Sequence, residues 1–427
     1  MMHSFFKSFR LLLFVAVFSV GCDQKKDKYP NEWNFDKSEI TNNKTANTDK
    51  INVDVYLDVT GSMEGFSVPA QPSNFGKLLD DIESTCQNTW KLSDIKFYKY
   101  GSRVDTIQRS EFISAKSDRN VYKGNDINNK TDFTNAIQNT DTKRVSIFIT
   151  DLFYNNNDIN SVVAAIKEQS VKNGVEVGVV GISSDYDGCV GDLGAGVPCI
   201  PVKASRQIFA LVFGDQTNIS LLFKSLNKKS YINPNQFLVL ANKPTTNFDV
   251  NLVKDRKSKA INKGSLGKKD WEKYGTIYNF TMKDREKEGL LHLDLTLQPE
   301  KDTPVFTEKN IKTLVFKRTS ETADSIAADN EVKIDNLKWS ANKLTADVQL
   351  INNDPEGKYS YAVYFTLDNT VPLAMPRWIK DMSTDNHSGV KEGKTLNLEK
   401  LLTDVSTSHV TVRQPKIAKF YIYLEKK

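Results

Sequence analysis

Hydrophobic and polar residues follow two different patterns along the chain, and the change comes near residue 235. Before it, short apolar runs typical of strands alternate with segments whose apolar residues recur every three or four positions, as in helices. The strand-like runs are NVDVYLD, DIKFYKYG, RVSIFITD, VEVGVVGIS and QIFALVFGD. Residues 51–235 are therefore predicted to form an α/β domain, with a doubly wound, mostly parallel sheet and helices on both faces.

Beyond residue 235 apolar and polar residues alternate in short segments between turn-rich stretches, and long helical patterns are scarce. The alternation predicts antiparallel β-structure, with a β-rich module over 236–318 and an immunoglobulin-like sandwich over 331–427. The stretch TSETADSIAADNEV, 319–332, is the predicted linker. One short helix is expected within LNLEKLL, 396–402.

The first 22 residues have the layout of a secretory signal. Lys7 and Arg10 precede an apolar run over 11–20, which is too short to span a bilayer as an ordinary helix. The SVGC ending resembles a bacterial lipoprotein lipobox, although Ser19 stands where Leu is usual. The resemblance implies that Cys22 is lipidated and anchors the mature chain in the bacterial cell envelope, at the periplasmic face or the cell surface. An ordinary secretory peptide is the alternative.

Composition narrows the class of protein. The chain has 427 residues, of which 39% are hydrophobic, so it has enough material for roughly two or three globular domains. Residues 23–50 are polar and lack apolar periodicity, which predicts a flexible tether. The net charge of +5 is small beside 58 basic and 53 acidic residues, and no basic block has interleaved aromatics. Nucleic acid is therefore not expected as a partner.

Oxygen-bearing side chains follow the predicted strands at several points. Asp58, Thr60 and Ser62 follow the first strand, Asp151 ends RVSIFITD, and Thr131 opens the helix-like TDFTNAI. Because ligands bind beyond the carboxyl ends of strands in such sheets, these residues could converge there. Two carboxylates and three hydroxyls suit a hard divalent cation, Mg²⁺ or else Mn²⁺ or Ca²⁺. A cation bound by so few charged ligands keeps much of its positive charge. It also keeps a coordination position to which a partner's carboxylate can bind.

This order of residues resembles a von Willebrand factor A domain with a metal-ion-dependent adhesion site, over about residues 51–230. DVTGSM matches the Asp-x-Ser/Thr-x-Ser motif, Thr131 matches the lone threonine, and Asp151 ends the Thr-Asp strand. The resemblance implies that Thr60 and Ser62 bind the metal directly and that Asp58 and Asp151 act largely through water or hydrogen bonds. The role of Thr131 would depend on the conformational state. A non-enzymatic protein that binds a partner's Asp or Glu is expected.

The sequence departs from the family pattern at two places. Asn129 and Lys130 replace the Gly-Gly often found before the lone threonine, and Leu152 follows Asp151 where Gly is common. Thr134 is a second candidate for the threonine position, although its spacing to the next apolar pair fits less well.

An enzymatic alternative rests on the resemblance of DVTGS to the phospho-aspartate loop of haloacid-dehalogenase-like phosphotransferases. Asp58 would then be the nucleophile, with magnesium beside it. Thr60 stands where phosphatases of that family have a second Asp, and FGDQTN offers only Asp215 for a distal acidic pair. The remaining histidines, His292, His387 and His409, are scattered without an acid or nucleophile at a recognisable spacing, and surface or hydrogen-bonded positions are expected for them.

The cysteines fit an exported chain, since oxidising compartments allow disulfides. Cys189 and Cys199 close the glycine-rich loop CVGDLGAGVPC and are expected to be bonded; no His or further Cys lies near for a metal site. This loop follows VEVGVVGIS, so it should project from the same sheet edge as the candidate metal site. Cys86 lies in a helical pattern and is expected to be a buried thiol.

Overall fold

The computed structural model describes residues 50–67, 73–153, 159–190, 199–241, 243–263, 277–283, 285–318, 325–340 and 342–427. The predicted signal segment with Cys22, and the predicted tether up to residue 49, lie outside this range. None of the helices in the described part of the chain is long and apolar enough to cross a membrane.

A seven-stranded mixed sheet forms the first half of the molecule, in the order β3-β2-β1-β4-β6-β5-β7. Strand β1 lies between β2 and β4 and is parallel to both, whereas the other pairings in this sheet are antiparallel. The strands are β1 (Asn52–Asp58), β2 (Asp94–Tyr100), β3 (Val104–Ile107), β4 (Arg144–Thr150), β5 (Glu176–Val190), β6 (Ile200–Gly214) and β7 (Phe237–Leu240).

The α/β class is confirmed, but the sheet is mixed, and the longest of its antiparallel pairings is the hairpin of β5 and β6. The connection over 191–199 is shorter than the dozen or so residues that a parallel crossover requires, so the chain returns antiparallel. Apolar runs alone identify both strands and leave their relative direction open. The two strands of the hairpin continue past the carboxyl end of β4, because Thr150 pairs with Phe209 while the pairing of β5 with β6 runs on to Val190 and Ile200.

Helices cover both faces of this sheet, because its central strands are apolar on both sides. In β1, Val55 and Leu57 face the core beneath α1 and α5, and Tyr56 faces the core beneath α4. The helices of this half are α1 (Asn74–Thr89), α2 (Arg109–Ser114), α3 (Phe133–Ala136), α4 (Ile159–Asn173) and α5 (Gln216–Leu226).

The second half is a β-sandwich of two sheets, in the orders β13-β12-β16-β19-β10-β9 and β14-β15-β11-β8, around one shared core. Apart from the parallel pair β10 and β19, the pairings in these two sheets are antiparallel. The strands are β8 (Thr245–Lys254), β9 (Ile261–Lys263), β10 (Ile277–Met282), β11 (Glu288–Pro299), β12 (Ile311–Arg318), β13 (Ile326–Ala327), β14 (Val332–Ser340), β15 (Lys343–Ile351), β16 (Gly357–Leu367) and β19 (Lys416–Lys426).

This arrangement differs from the predicted division into modules 236–318 and 331–427. Strand β11 of the first range pairs with β15 of the second, and β12 pairs with β16, so strands from both ranges build the same two sheets. The alternation of apolar residues marks where strands lie, but it does not specify which strands pair. The predicted domain boundary at 235 also shifts, because β7 completes the α/β sheet.

A helical segment between β16 and β19 returns to the α/β sheet and covers its second face. Trp378, Leu401 and Val405 lie in the same apolar core as residues of α4. Gly181 on β5 makes room for Trp378, since a Cβ at Gly181 would lie 2.9 Å from the indole ring. The segment contains α6 (Arg377–Met382), β17 (Ser383–Thr384), α7 (His387–Lys391), β18 (Thr395–Leu396) and α8 (Leu398–Arg413), the last far longer than the predicted short helix.

His409 on α8 is buried in this interface, and burial lowers its pKa to about 4. The neighbouring Arg413 lowers this pKa further, while the backbone carbonyl of Ala241 opposes the shift. The imidazole is therefore neutral at neutral pH. Acid protonates it in the unfolded chain near the ordinary value of 6.5 but in the folded chain only near pH 4.

We predict that His409→Gln makes the protein less sensitive to acid. Between pH 6.5 and about pH 4 the wild-type chain should lose up to about 3 kcal/mol of unfolding free energy through this residue, because only the unfolded state gains a proton there. Thermal unfolding midpoints of both proteins across this pH range measure the difference.

His292→Gln is the control of opposite sign. The exposed His292 ring contacts Asp255 at 2.6 Å and Asp347 at 2.9 Å, and the hydrogen bond to Asp255 is the main cause of its raised pKa. Its contribution is present below pH 6.5 and is lost as the pH rises, so His292→Gln should not protect against acid. An unchanged acid sensitivity of His409→Gln would contradict the prediction.

Candidate metal centre

The carboxyl ends of β1 and β4 lie side by side, and each leads to a buried carboxylate. The parallel register pairs Leu57 with Ile149, so Asp58 and Asp151 come at the same edge of the sheet. Both side chains are fully buried. Burial, followed by the charge of Asp151, raises the pKa of Asp58 to about 7. Two carboxylates in this position repel each other and require compensation.

Hydrogen bonds hold the Asp58 carboxylate in one orientation. Its Oδ1 accepts from the backbone N–H of Thr60 at 3.0 Å and from the Thr60 hydroxyl at 2.7 Å. Its Oδ2 accepts from the Thr150 hydroxyl at 2.8 Å. These bonds favour the charged carboxylate and oppose part of the rise in its pKa.

Asp151 is less well satisfied. Its Oδ1 accepts from the backbone N–H of Phe153 at 3.1 Å, whereas its Oδ2 is buried without a hydrogen-bond partner among the described residues. Burial is the main cause of the raised pKa of this carboxyl, and the Ser62 hydroxyl and Arg206 lower it. A buried carboxylate oxygen without a partner is costly, so this atom marks a place where a cation or a water molecule fits.

The three hydroxyls lie around these carboxylates. The Thr60 hydroxyl donates to the Asp58 carboxylate, and the Thr131 hydroxyl lies 3.3 Å from the Thr60 hydroxyl. A hydrogen bond from Ser62 lowers the pKa of Asp151. Ser62 and Thr131 are half-buried, above the buried carboxylates. The structure thus brings together all five residues that the sequence singled out. Thr134, the second candidate for the threonine position, is exposed on α3.

Backbone and amide contacts hold Thr131 at the edge of the sheet. The Asn128 side chain donates to the carbonyl of Val59 at 2.6 Å, and the N–H of Asp132 donates to the carbonyl of Gly101 at 2.8 Å. Gly101 is needed there, because a Cβ would lie 1.9 Å from the carbonyl oxygen of Ile127. The loop keeps Thr131 beside Thr60 although Asn129 and Lys130 replace the expected glycines.

The hairpin of β5 and β6 packs beside the loop that carries Thr60 and Ser62. The Tyr186 hydroxyl donates to the carbonyl of Ser62 at 3.0 Å. This loop forms a 3-10 turn over Gly61–Phe66, and a Cβ on Gly65 would lie 2.3 Å from the Tyr186 ring. Gly65, the second glycine of GSMEGF, is therefore required for the close approach of the hairpin.

A disulfide joins the two strands of the hairpin near its tip. Cys189 and Cys199 are bonded, with their Cα atoms 5.6 Å apart, which confirms the predicted pair. Arg119 ties the hairpin to the rest of the edge by donating to the carbonyl of Asp187 at 3.0 Å. Cys86 is a free, buried thiol on α1, also as predicted.

Arg206 on β6 is the residue of this edge that sequence reasoning missed. Its guanidinium is fully buried, lies 4.8 Å from the centre of the Tyr186 ring, and has no hydrogen-bond partner in the described part of the chain. Its positive charge lowers the pKa of Asp151. Side chains alternate between the two faces of a strand, so Arg206 lies on the same face of β6 as the buried Ile208 and Ala210. This spacing in the sequence could have indicated that Arg206 is buried.

The donor set fits a hard divalent cation. The site offers three hydroxyls and two carboxylates, one of which has an unpartnered buried oxygen, and these are oxygen ligands of the kind that Mg²⁺ prefers. Among the described residues no group of three or more His, Cys, Asp and Glu side chains gathers as in a conventional metal cage. Any cation here would therefore depend on the hydroxyls for much of its coordination.

Leu152 has a backbone conformation that favours glycine. Its φ is 56°, in the left-handed region, and its side chain is buried in the core beneath α4. This turn places the N–H of Phe153 on the Asp151 carboxylate. The glycine that the family pattern favours after Asp151 would relieve the backbone strain. With leucine the strain remains and is offset by burial of the side chain.

Two truncations of Leu152 separate strain from burial. Both Leu152→Ala and Leu152→Gly remove the buried side chain, but only glycine relaxes the left-handed backbone. We therefore predict that Leu152→Gly is more stable than Leu152→Ala by about 1 kcal/mol, the reverse of the usual order. Denaturant unfolding of the two variants measures the difference, and a more stable alanine variant would refute the strain.

Comparison with known proteins adds no family assignment. No protein-family model matches the chain. A search of curated proteins finds no similar sequence. The resemblance to the A-domain family stays a prediction, and the case for a metal centre rests on the geometry of these residues.

Proposed function

We propose that this chain is an exported, membrane-anchored, non-enzymatic protein of the bacterial cell envelope that binds a protein partner through a divalent cation. The cation is Mg²⁺, or else Mn²⁺ or Ca²⁺, and the partner presents an Asp or Glu side chain. The observation that carries the proposal is the convergence of Asp58, Thr60, Ser62, Thr131 and Asp151 at one sheet edge.

Burial divides these residues into two roles. Ser62 and Thr131 are half-buried, and with the buried Thr60, whose hydroxyl lies between Asp58 and Thr131, they would hold the ion directly. Asp58 and Asp151 lie beneath them, fully buried, and would stabilise its charge through water or through the hydroxyls. A bound divalent cation would supply a positive centre with an exchangeable position, to which a partner's carboxylate can bind.

The hydrogen bonds of Asp58 support this role over the alternative one. A phospho-aspartate nucleophile needs a carboxylate oxygen that can reach phosphorus. In this chain both oxygens of Asp58 already accept hydrogen bonds, from Thr60 and Thr150, and the side chain is fully buried. The haloacid-dehalogenase-like phosphotransferase remains the second candidate, and the same variants test it.

We predict that Mg²⁺ and Mn²⁺ bind saturably to the chain without residues 1–22 and that the Asp58→Ala/Asp151→Ala variant loses this binding. The near-isosteric Asp58→Asn should bind about 10- to 100-fold more weakly, as expected when a supporting residue is changed. Asp185→Asn is the matched control, because it removes an exposed carboxylate from the adjacent hairpin. Calorimetric titration measures all four proteins.

The result distinguishes specific binding from general attraction of cations by acidic residues. Equal weakening in Asp58→Asn and Asp185→Asn would contradict the site. Hydrolysis of a phosphate monoester by the wild-type chain, lost in Asp58→Asn, would instead favour the phosphotransferase.

A further inference from the structure

A cluster of charged side chains, three of them buried, lies in the β-sandwich, separate from the metal centre. Lys317 on β12 and Lys426 on β19 have side chains that are 4% and 0% exposed. Glu331 and Asp354 lie against them, and the Tyr361 hydroxyl donates to Glu331 at 2.7 Å. Two ammonium groups and two carboxylates balance in charge, so the cluster is neutral as a whole.

Three members of this cluster lie close together. The Lys317 Nζ lies 2.5 Å from Oδ2 of Asp354 and 2.8 Å from Oε2 of Glu331. Glu331 and Asp354 thus contact the same ammonium group, and the three side chains form a triangle around it. The Tyr359 ring, centred 4.6 Å from the Lys317 Nζ, shields the group from solvent.

The triangle contains the reactants of an amide condensation and a group that can carry the proton. Ammonium and carboxylate are held in contact, and fixed geometry of this kind can correspond to an effective concentration of about 10⁵ M or more. The ion pairs raise the pKa of Lys317 and lower that of Asp354, so a proton must leave Lys317 before its nitrogen can attack. Glu331 contacts this nitrogen, which is the position of a group that accepts the proton.

We propose that Lys317 and Asp354 form an isopeptide bond within the chain, with Glu331 as the residue that transfers the protons.

The reaction balances without a co-reactant. Lys317 gives one ammonium proton to Glu331, and its amine attacks Cγ of Asp354 to form the new C–N bond. A second proton leaves the nitrogen as a C–O bond of Asp354 breaks, and Glu331 passes both protons to the departing oxygen. One water molecule is released, and Glu331 ends as a carboxylate. Nothing is oxidised or reduced.

Lys426 has a different role in the proposed reaction. Its Nζ lies 3.2 Å from Oδ2 of Asp354, where its positive charge stabilises the negative charge that develops during attack. Its Nζ forms no hydrogen bond or ion pair with Glu331 among the described residues, so it lacks a proton acceptor for attack of its own. The bond would tie β12 to the turn between β15 and β16, across a separation of 37 positions.

Peptide mapping of the full-length chain by mass spectrometry tests the proposal. Digestion of the reduced wild-type protein should yield a branched peptide that contains Lys317 and Asp354, lighter by one water molecule than its two parts. Mapping is insensitive to processing at the amino terminus. Recovery of both segments only as separate, unmodified peptides would overturn the proposal.

Three variants assign the roles. Lys317→Arg keeps the charge but should abolish the branched peptide. Glu331→Gln keeps the shape and should reduce the bonded fraction at least tenfold at equal times, since a general acid–base group contributes about 10²- to 10⁴-fold. Lys358→Arg, which changes an exposed lysine on the neighbouring β16, is the matched control and should retain the bond. Circular dichroism confirms that each variant is folded.

Each opposite result has a defined meaning. A bonded Glu331→Gln variant would overturn the proton-transfer role of Glu331. A branched peptide through Lys426 in place of Lys317 would overturn the assignment of the nucleophile. Because the wild-type map already decides whether the bond exists, a variant that fails to fold leaves the proposal falsifiable.

Discussion

The edge of the α/β sheet is organised around two carboxylates that are buried next to each other. Asp58 and Asp151 end adjacent parallel strands, and their mutual repulsion in a dry environment must be offset. Thr60 and Thr150 do so for Asp58, whereas Asp151 relies on the N–H of Phe153 and on the charge of Arg206. The hydroxyl-rich surface above them follows from this need for compensation.

The two halves of the molecule depend on each other. The β5–β6 hairpin extends the sheet past its carboxyl edge and fixes the Ser62 loop through Tyr186. On the second face, α8 packs against α4, so a segment that follows β16 completes a core that begins at Tyr56. The fully buried Arg206 points to the opposite face, with Ile208 and Ala210, and Gly393 of the same segment lies next to its stem. The geometry of the site is therefore set partly by residues far along the chain.

The sequence contained the local information and lacked the long-range information. Apolar runs located the strands, the spacing of DVTGS and Thr-Asp located five converging side chains, and the short cysteine loop located the disulfide. Periodicity specifies which face of a strand is buried, but not its neighbour, so the direction of β6 and the merged sandwich were not predictable. For the same reason Lys317, Glu331 and Asp354 looked like ordinary charges, because only strand pairing brings them together.

The insertion of α6–α8 before the last strand also affects how the chain can fold. An amino-terminal portion ending near residue 240 contains every strand of the α/β sheet, yet the core around Phe209 and Leu211 then lacks the part that α6 and α8 contribute. That part is made only after β16, and β19 must then return to the sandwich. Contacts of such long sequence separation form slowly. A chain made from its amino terminus would thus present the sheet early but finish both cores almost simultaneously, at its very end.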